Sequence, residues 1–172
     1  EAEQREAAKI LGVKEIVVLG HPDGELEDND TFRRELVRQI RLVRPDVVLC
    51  PEPYRRNLAW HRDHRIAGQV AIDAVFPYAR DHLHLKELWE DEGLEPHKTG
   101  TVLLWGTVQP DTHVDIGDTL DLKIRALAVH GSQMSGRSQA EVEEFVRDQA
   151  AGDGSDQDYA YAEAFRNLTF RT

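Results

Sequence analysis

His61, Arg62, Asp63 and His64 place two imidazoles and a carboxylate within one helical turn of one another. A neutral imidazole donates a lone pair to Zn²⁺. An aspartate either ligates or orients a histidine from behind. In such a group one histidine can hold a metal while the other polarises a carbonyl or protonates a leaving amine. The same spacing also describes a solvated helix start, with Asp63 as its N-terminal charge. A second candidate is His21-Pro22-Asp23-Gly24-Glu25, where Asp23 is a base, a ligand or the residue closing an Asx-turn. His130, before Gly131-Ser132-Gln133, reads as a C-terminal helix cation, a core histidine or part of a pocket. Tyr54, Arg55, Arg56 and Trp60 share one loop, where arginines can hold an anionic group and an indole can wall a pocket or join the core. His82 and His84 flank Leu83 on a surface pattern and carry no assignment. Cys50 ends an apolar run with no base beside it, so it is not a nucleophile. No phosphate-cradling glycine loop and no G-x-S-x-G elbow occurs.

Elements must bring these groups together, and composition bounds what they can build. The 172 residues fit one domain, and 40% apolar content is enough for a core. The formal net charge of −11 argues against broad binding to nucleic acid or anionic membranes. One cysteine excludes an internal disulfide and points to a reducing, cytoplasmic setting. No apolar run is long enough for a transmembrane helix, and the charged N-terminus is not a signal peptide.

Periodicity predicts alternating helices and strands. Helices are expected over residues 2–11 with Gly12 ending the first, over about 31–43 capped by Asp30 or Thr31, over 62–78, over about 120–130 and over 137–149. The last should bury Val142, Phe145 and Val146 on one side, and residues 79–92 read as mixed helix. Ile16–Leu19 and Val47–Cys50 lack polar alternation, as expected of strands covered on both faces. Thr101–Trp105 reads as a third strand and Val114–Ile116 as a short fourth. Residues 159–165 alternate with period two, which predicts an edge or surface strand. Together these give an α/β, Rossmann-like three-layer sandwich with a mostly parallel sheet. Ligands then sit beyond the C-terminal strand ends, where His21 and Asp23, residues 54–64 and the 106–113 loop can share one crevice.

Several segments in order, REAAKILGV, VVLGHPDGELED, LVRQIRLVRPDVVLCPEPYRRN, WHRDHRIAGQVAIDAVFPYAR, DLKIRALAVHGSQ and YAEAFR, resemble the LmbE-like, or PIG-L-type, zinc-dependent de-N-acetylases. Such enzymes remove acetyl groups from N-acetylglucosaminyl compounds, diacetylchitobiose among them. The resemblance spans nearly the whole chain and implies one domain over residues 1–172. It implies that His64 is the zinc ligand, His61 the group that steadies the oxyanion or protonates the leaving amine, and Asp63 the carboxylate supporting a histidine. Arg62 stands where proline is usual. Tyr54, Arg55, Arg56, Trp60 and His130 are expected to shape the substrate end.

The family opens with His-Pro-Asp-Asp-Glu, whose histidine and second aspartate bind zinc and whose first aspartate is the general base. His21 to Glu25 looks like that motif, but its place after the LGV segment matches a later Pro-Asp-Gly turn. The chain is therefore expected to lack the front of the site and the first strands of the sheet. It should be inactive alone and completed by an N-terminal segment or a partner, with self-association through the exposed edge. The expected function is removal of an acetyl group from an N-acetylated amino sugar. The rivals are a non-catalytic remnant that binds a sugar conjugate or a protein, and an unrelated metallohydrolase using His21, Asp23 and His64.

Overall fold

The structure, a computed structural model, describes residues 1–55, 61–134 and 136–171. It divides into two compact units, residues 1–18 with 113–164 and residues 19–112 with 165–172.

In the first unit, α1 (Ala2–Leu11) ends at Gly12, whose φ of 71° is the left-handed conformation that glycine adopts without strain. Its buried Ala7 and Ala8 face α5 (Leu120–Ala128). The last helix of the unit, α6 (Gln139–Gly154), is started by a capping box between Ser138 and Glu141. Ile116, Leu120, Ile124, Val142, Val146 and Ala150 form the core here. Phe145, expected on the buried side, is 53% exposed. It carries the Arg137 guanidinium over its ring instead. Short strand β3 (Thr112–Asp115) lies beside β4 (Ala162–Thr169).

The second unit holds the strands that matter for the site. β1 (Val47–Pro51) pairs in parallel with β2 (Thr101–Trp105), and β2 pairs antiparallel with β4. The order is β1-β2-β4-β3, a mixed sheet rather than a mostly parallel one. The period-two tail is a strand, but an interior one that turns back along β2. One face, with Val48, Cys50, Val102 and Leu104, packs on Val37 and Ile40 of α2 (Asp30–Val43) and on Ala74 and Val75. α2 is capped by the Asn29 side chain, one residue before the expected caps. α3 (Arg62–Asp73) runs into a π-helical turn over Ala74–Tyr78. Residues 79–92 contain only the short α4 (Lys86–Glu90).

Two strand expectations fail. Ile16–Leu19 pairs with nothing among the described residues, and Val17 and Val18 are about half exposed. β1 is buried on one face only, with Val47 and Leu49 open on the other. An apolar run reports the wish for burial, and a strand forms only where a neighbour supplies the ladder. No helix among the described residues is long and apolar enough to cross a membrane.

Two contacts seat α3 against β1 and hold the chain that follows it. Gly68 brings α3 against β1 so closely that an added Cβ would stand 2.1 Å from the Pro51 carbonyl oxygen. Arg41, buried on α2, donates to the carbonyls of Tyr78, Ala79, Asp81, His84 and Leu85, locking the chain that follows α3.

Candidate metal centre

The site grows from the first turn of α3. His61 is its N-cap, and its ring Nδ1 accepts from the Asp63 backbone N–H at 3.2 Å. A nitrogen that accepts carries no proton, so the neutral ring holds its hydrogen on Nε2. That Nε2 lies 3.6 Å from Asp23 Oδ1. The capping bond thus does two jobs, starting the helix and choosing the tautomer.

Asp63 is the most enclosed member. Its Oδ2 accepts from the Gly24 backbone N–H at 2.7 Å, tying the 22–25 turn to the helix. The same oxygen is 3.8 Å from His61 Nδ1. Asp63 therefore meets the His61 ring with its backbone N–H, and its carboxylate stands near the same nitrogen. Oδ1 is buried with no hydrogen bond, 3.5 Å from Arg62 Nη1. Arg62 itself donates to the carbonyls of Gly24 and Leu26. The residue in place of the expected proline is a second clamp on that turn.

Asp23, His61 and Asp63 each offer a ligand atom, and these atoms lie within 4.8 Å of one another. One imidazole nitrogen and two carboxylate oxygens suit a divalent cation, zinc included. The orphaned Asp63 Oδ1 is an acceptor that such a cation would satisfy. His61 can join through Nε2 only if its proton moves to Nδ1, which forfeits the capping bond.

His64 lies one turn on. Its ring centroid is 5.9 Å from that of His61 and 5.5 Å from that of Trp105, nearly perpendicular to the indole. It is exposed, and its contact with Trp105 sets it beside the last residue of β2. Asp23 enters the group, whereas His21 turns away, 2.7 Å from Glu35 and edge-on to Phe32. Tyr54 is 65% exposed and donates its hydroxyl to Gln69 of α3. The Arg55 guanidinium lies along Gly106, the residue after β2. His130 belongs to the first unit, where it lines a cavity of about 490 Å³ with Leu122 and Lys123. Arg56 and Trp60 lie outside the described residues.

Two residues that the sequence reading passed over stand at this end of the strands. Glu52 is buried, accepts from the Tyr54 N–H at 3.1 Å and lies 3.5 Å from Arg166. Its own N–H donates to the Trp105 carbonyl at 3.0 Å. Trp105 is 39% exposed although it ends a strand whose neighbour Leu104 is buried. Position was the available signal: Trp105 ends one predicted strand, and Glu52 stands two residues beyond the end of another.

Comparison with known proteins adds an independent line. The family described as PIG-L: GlcNAc-PI de-N-acetylase matches residues 1–75. A diacetylchitobiose deacetylase from Thermococcus kodakarensis is 35% identical over 164 residues, covering 95% of this chain and 60% of the relative. The structure of the N,N'-diacetylchitobiose deacetylase from Pyrococcus horikoshii with its inhibitor MPG superposes with a TM-score of 0.85 at 32% identity, covering 98% of this chain and 62% of that one. The hydratase GalB from Pseudomonas putida shares the fold alone, with a TM-score of 0.77 at 19% identity over 99% of this chain and 71% of its own. The chain thus spans about 60% of the length of the deacetylases it matches.

Proposed function

The chain belongs to the PIG-L/LmbE-like deacetylase family, and from that premise we propose that it forms the larger part of a zinc-dependent hydrolase that removes an acetyl group from an N-acetylated amino sugar. The observation that carries this reading is the histidine pair at the start of α3, with one ring tautomer set by a capping bond. The diacetylchitobiose deacetylases of Thermococcus kodakarensis and Pyrococcus horikoshii support the substrate class.

In this reading His64 is the metal ligand from this chain, and the remaining ligands and the general base come from segments that the longer relatives carry. Zinc, when bound, supplies Lewis acidity toward the acetamide carbonyl and toward water. The residues of this chain handle the rest. His61 presents Nε2–H to the carbonyl oxygen as it gains negative charge, and it protonates the leaving nitrogen from Nε2 once Nδ1 has taken up a proton to give the imidazolium, which returns to the neutral ring. Asp63 holds the neutral ring through its N–H, and when Nδ1 is protonated and that bond is given up, its carboxylate stabilises the imidazolium by charge. Water oxygen bonds to the acyl carbon, the C–N bond breaks, and acetate and a free amine leave. Tyr54, Arg55, Arg56 and Trp60 shape the substrate end in this proposal, and His130, which lines a cavity of the first unit, is left out of it. Cytoplasmic residence accords with the buried free thiol of Cys50.

A second seat for the metal is Asp23, His61 and Asp63, favoured by the orphaned Asp63 Oδ1. It requires His61 to give up its capping bond, by ligating through Nδ1 or by moving its proton there, so we assign the cation to His64. Release of acetate from N,N'-diacetylchitobiose by the full natural protein tests the function. His61→Ala should lower kcat by about 100-fold or more and change KM little. Acetate release unaffected by His61→Ala, or no release from any acetamide, would favour a non-catalytic sugar-binding or protein-binding role.

A further inference from the structure

We propose that Trp105 binds the sugar ring of the substrate, offering its open indole surface to the C–H face of a pyranose while Arg55 meets ring hydroxyls. This rests on the deacetylase reading of the same site and extends it to the residue that selects for a sugar.

The argument begins with exposure. β2 ends with Leu104 buried and Trp105 39% exposed. Leaving part of an indole in water forgoes burial that a strand end could readily provide. The exposed ring stands at the C-terminal end of the strand, where ligands of open α/β sheets bind. One neighbour is fixed: the His64 ring at 5.5 Å, tilted 73° from the indole plane. A ligand lying on the remaining open surface is therefore next to the proposed metal ligand, which is where an acetamide borne by that ring has to be.

The backbone around Trp105 is held as a platform would need. Its carbonyl accepts from the Glu52 N–H at 3.0 Å. The buried Glu52 carboxylate is anchored in turn by the Tyr54 N–H and Arg166. The residue after it, Gly106, has φ 69°, and a Cβ there would stand 3.4 Å from Arg55 Cζ and Nη2. Glycine at this turn thus leaves room for the guanidinium against the backbone of the residue that follows Trp105. An aromatic face, with the planar guanidinium of Arg55 against the next residue, matches a pyranose, which carries an apolar C–H face and a rim of hydroxyls.

The test compares Trp105→Phe with Trp105→Leu in the full natural protein. Affinity for N-acetylglucosamine and for chitobiose is measured by calorimetry or saturation-transfer NMR, alongside zinc content and thermal unfolding. Phenylalanine keeps an aromatic face, and leucine keeps apolar bulk without one. We expect the leucine variant to bind about tenfold more weakly and the phenylalanine variant within about threefold of wild type, with zinc content unchanged. If sugar affinity follows the aromatic ring but no variant releases acetate, the platform stands and the hydrolase reading falls. Equal weakening in both variants, unchanged affinity in the leucine variant, or no sugar binding by the wild type would overturn the platform.

Discussion

Asp63 divides its work among three atoms: the backbone N–H sets the His61 ring, Oδ2 holds Gly24, and Oδ1 is buried without a hydrogen bond, 3.5 Å from Arg62 Nη1. Arg62 helps by gripping the Gly24 and Leu26 carbonyls. It occupies the first helical position, where proline is tolerated because no intrahelical N–H is needed. Arg62→Pro should therefore keep α3 and lose the grip, lowering stability by about 1 kcal/mol and speeding hydrogen exchange near Leu26. Unaltered exchange there would show that the arginine clamp is idle. Cys50 gives a sharper check. Burial, with a lesser contribution from the Glu52 charge, pushes its thiol up to about 12. Native protein at pH 8 should resist iodoacetamide and react only on unfolding. Fast labelling of the folded protein would contradict the packing of β1 on α3. At this scale the sequence was readable for His61, Asp63 and His64, because their spacing alone places them on one turn. Asp23 and Trp105 were not distinguished, because what brings them in is the neighbouring turn and strand end, which no local pattern encodes.

At the scale of elements, the site depends on how α3 is seated. Gly68→Ala forces a Cβ into the Pro51 carbonyl, so α3 or β1 has to shift. We expect a loss of about 1–3 kcal/mol in denaturant unfolding, together with weakened metal binding as the helix start moves. Wild-type stability in this variant would mean that the contact is not tight. α1 offers a pH-dependent check. The Glu3 carboxylate accepts from the Ser132 hydroxyl and N–H, and these bonds hold its pKa below the usual carboxylate range. A lowered folded pKa stabilises above the unfolded pKa and loses that contribution as pH falls through the folded one. Glu3→Gln should therefore narrow the stability difference between neutral and acidic solution, read as Tm against pH. Helices α1 and α5 were predicted nearly to the residue, since their apolar stripes and end residues are local. The sheet was legible in its strands but not in its pairing. β4 joins β2 antiparallel from more than fifty residues away, a choice made by tertiary packing. Phe145 shows the same limit, since helical spacing put it on the buried side and the actual neighbours of α6 did not reach it.

For the whole molecule, net charge and open apolar surface set the expectations. A formal charge of −11 predicts no salt-sensitive retention on DNA. β1 borders the sheet with Val47 and Leu49 exposed, an arrangement that invites pairing with another chain. We propose that the 172-residue chain by itself self-associates through this strand, and that Leu49→Lys lowers its light scattering. The central claim, however, is that His64 holds the catalytic zinc. Zinc per chain, measured by mass spectrometry on the full natural protein and on its His64→Ala and Asp23→Ala variants, tests it most directly. We predict that His64→Ala loses most of the metal while Asp23→Ala keeps it; full zinc in His64→Ala with loss in Asp23→Ala would contradict the assignment and move the metal to the Asp23, His61 and Asp63 group.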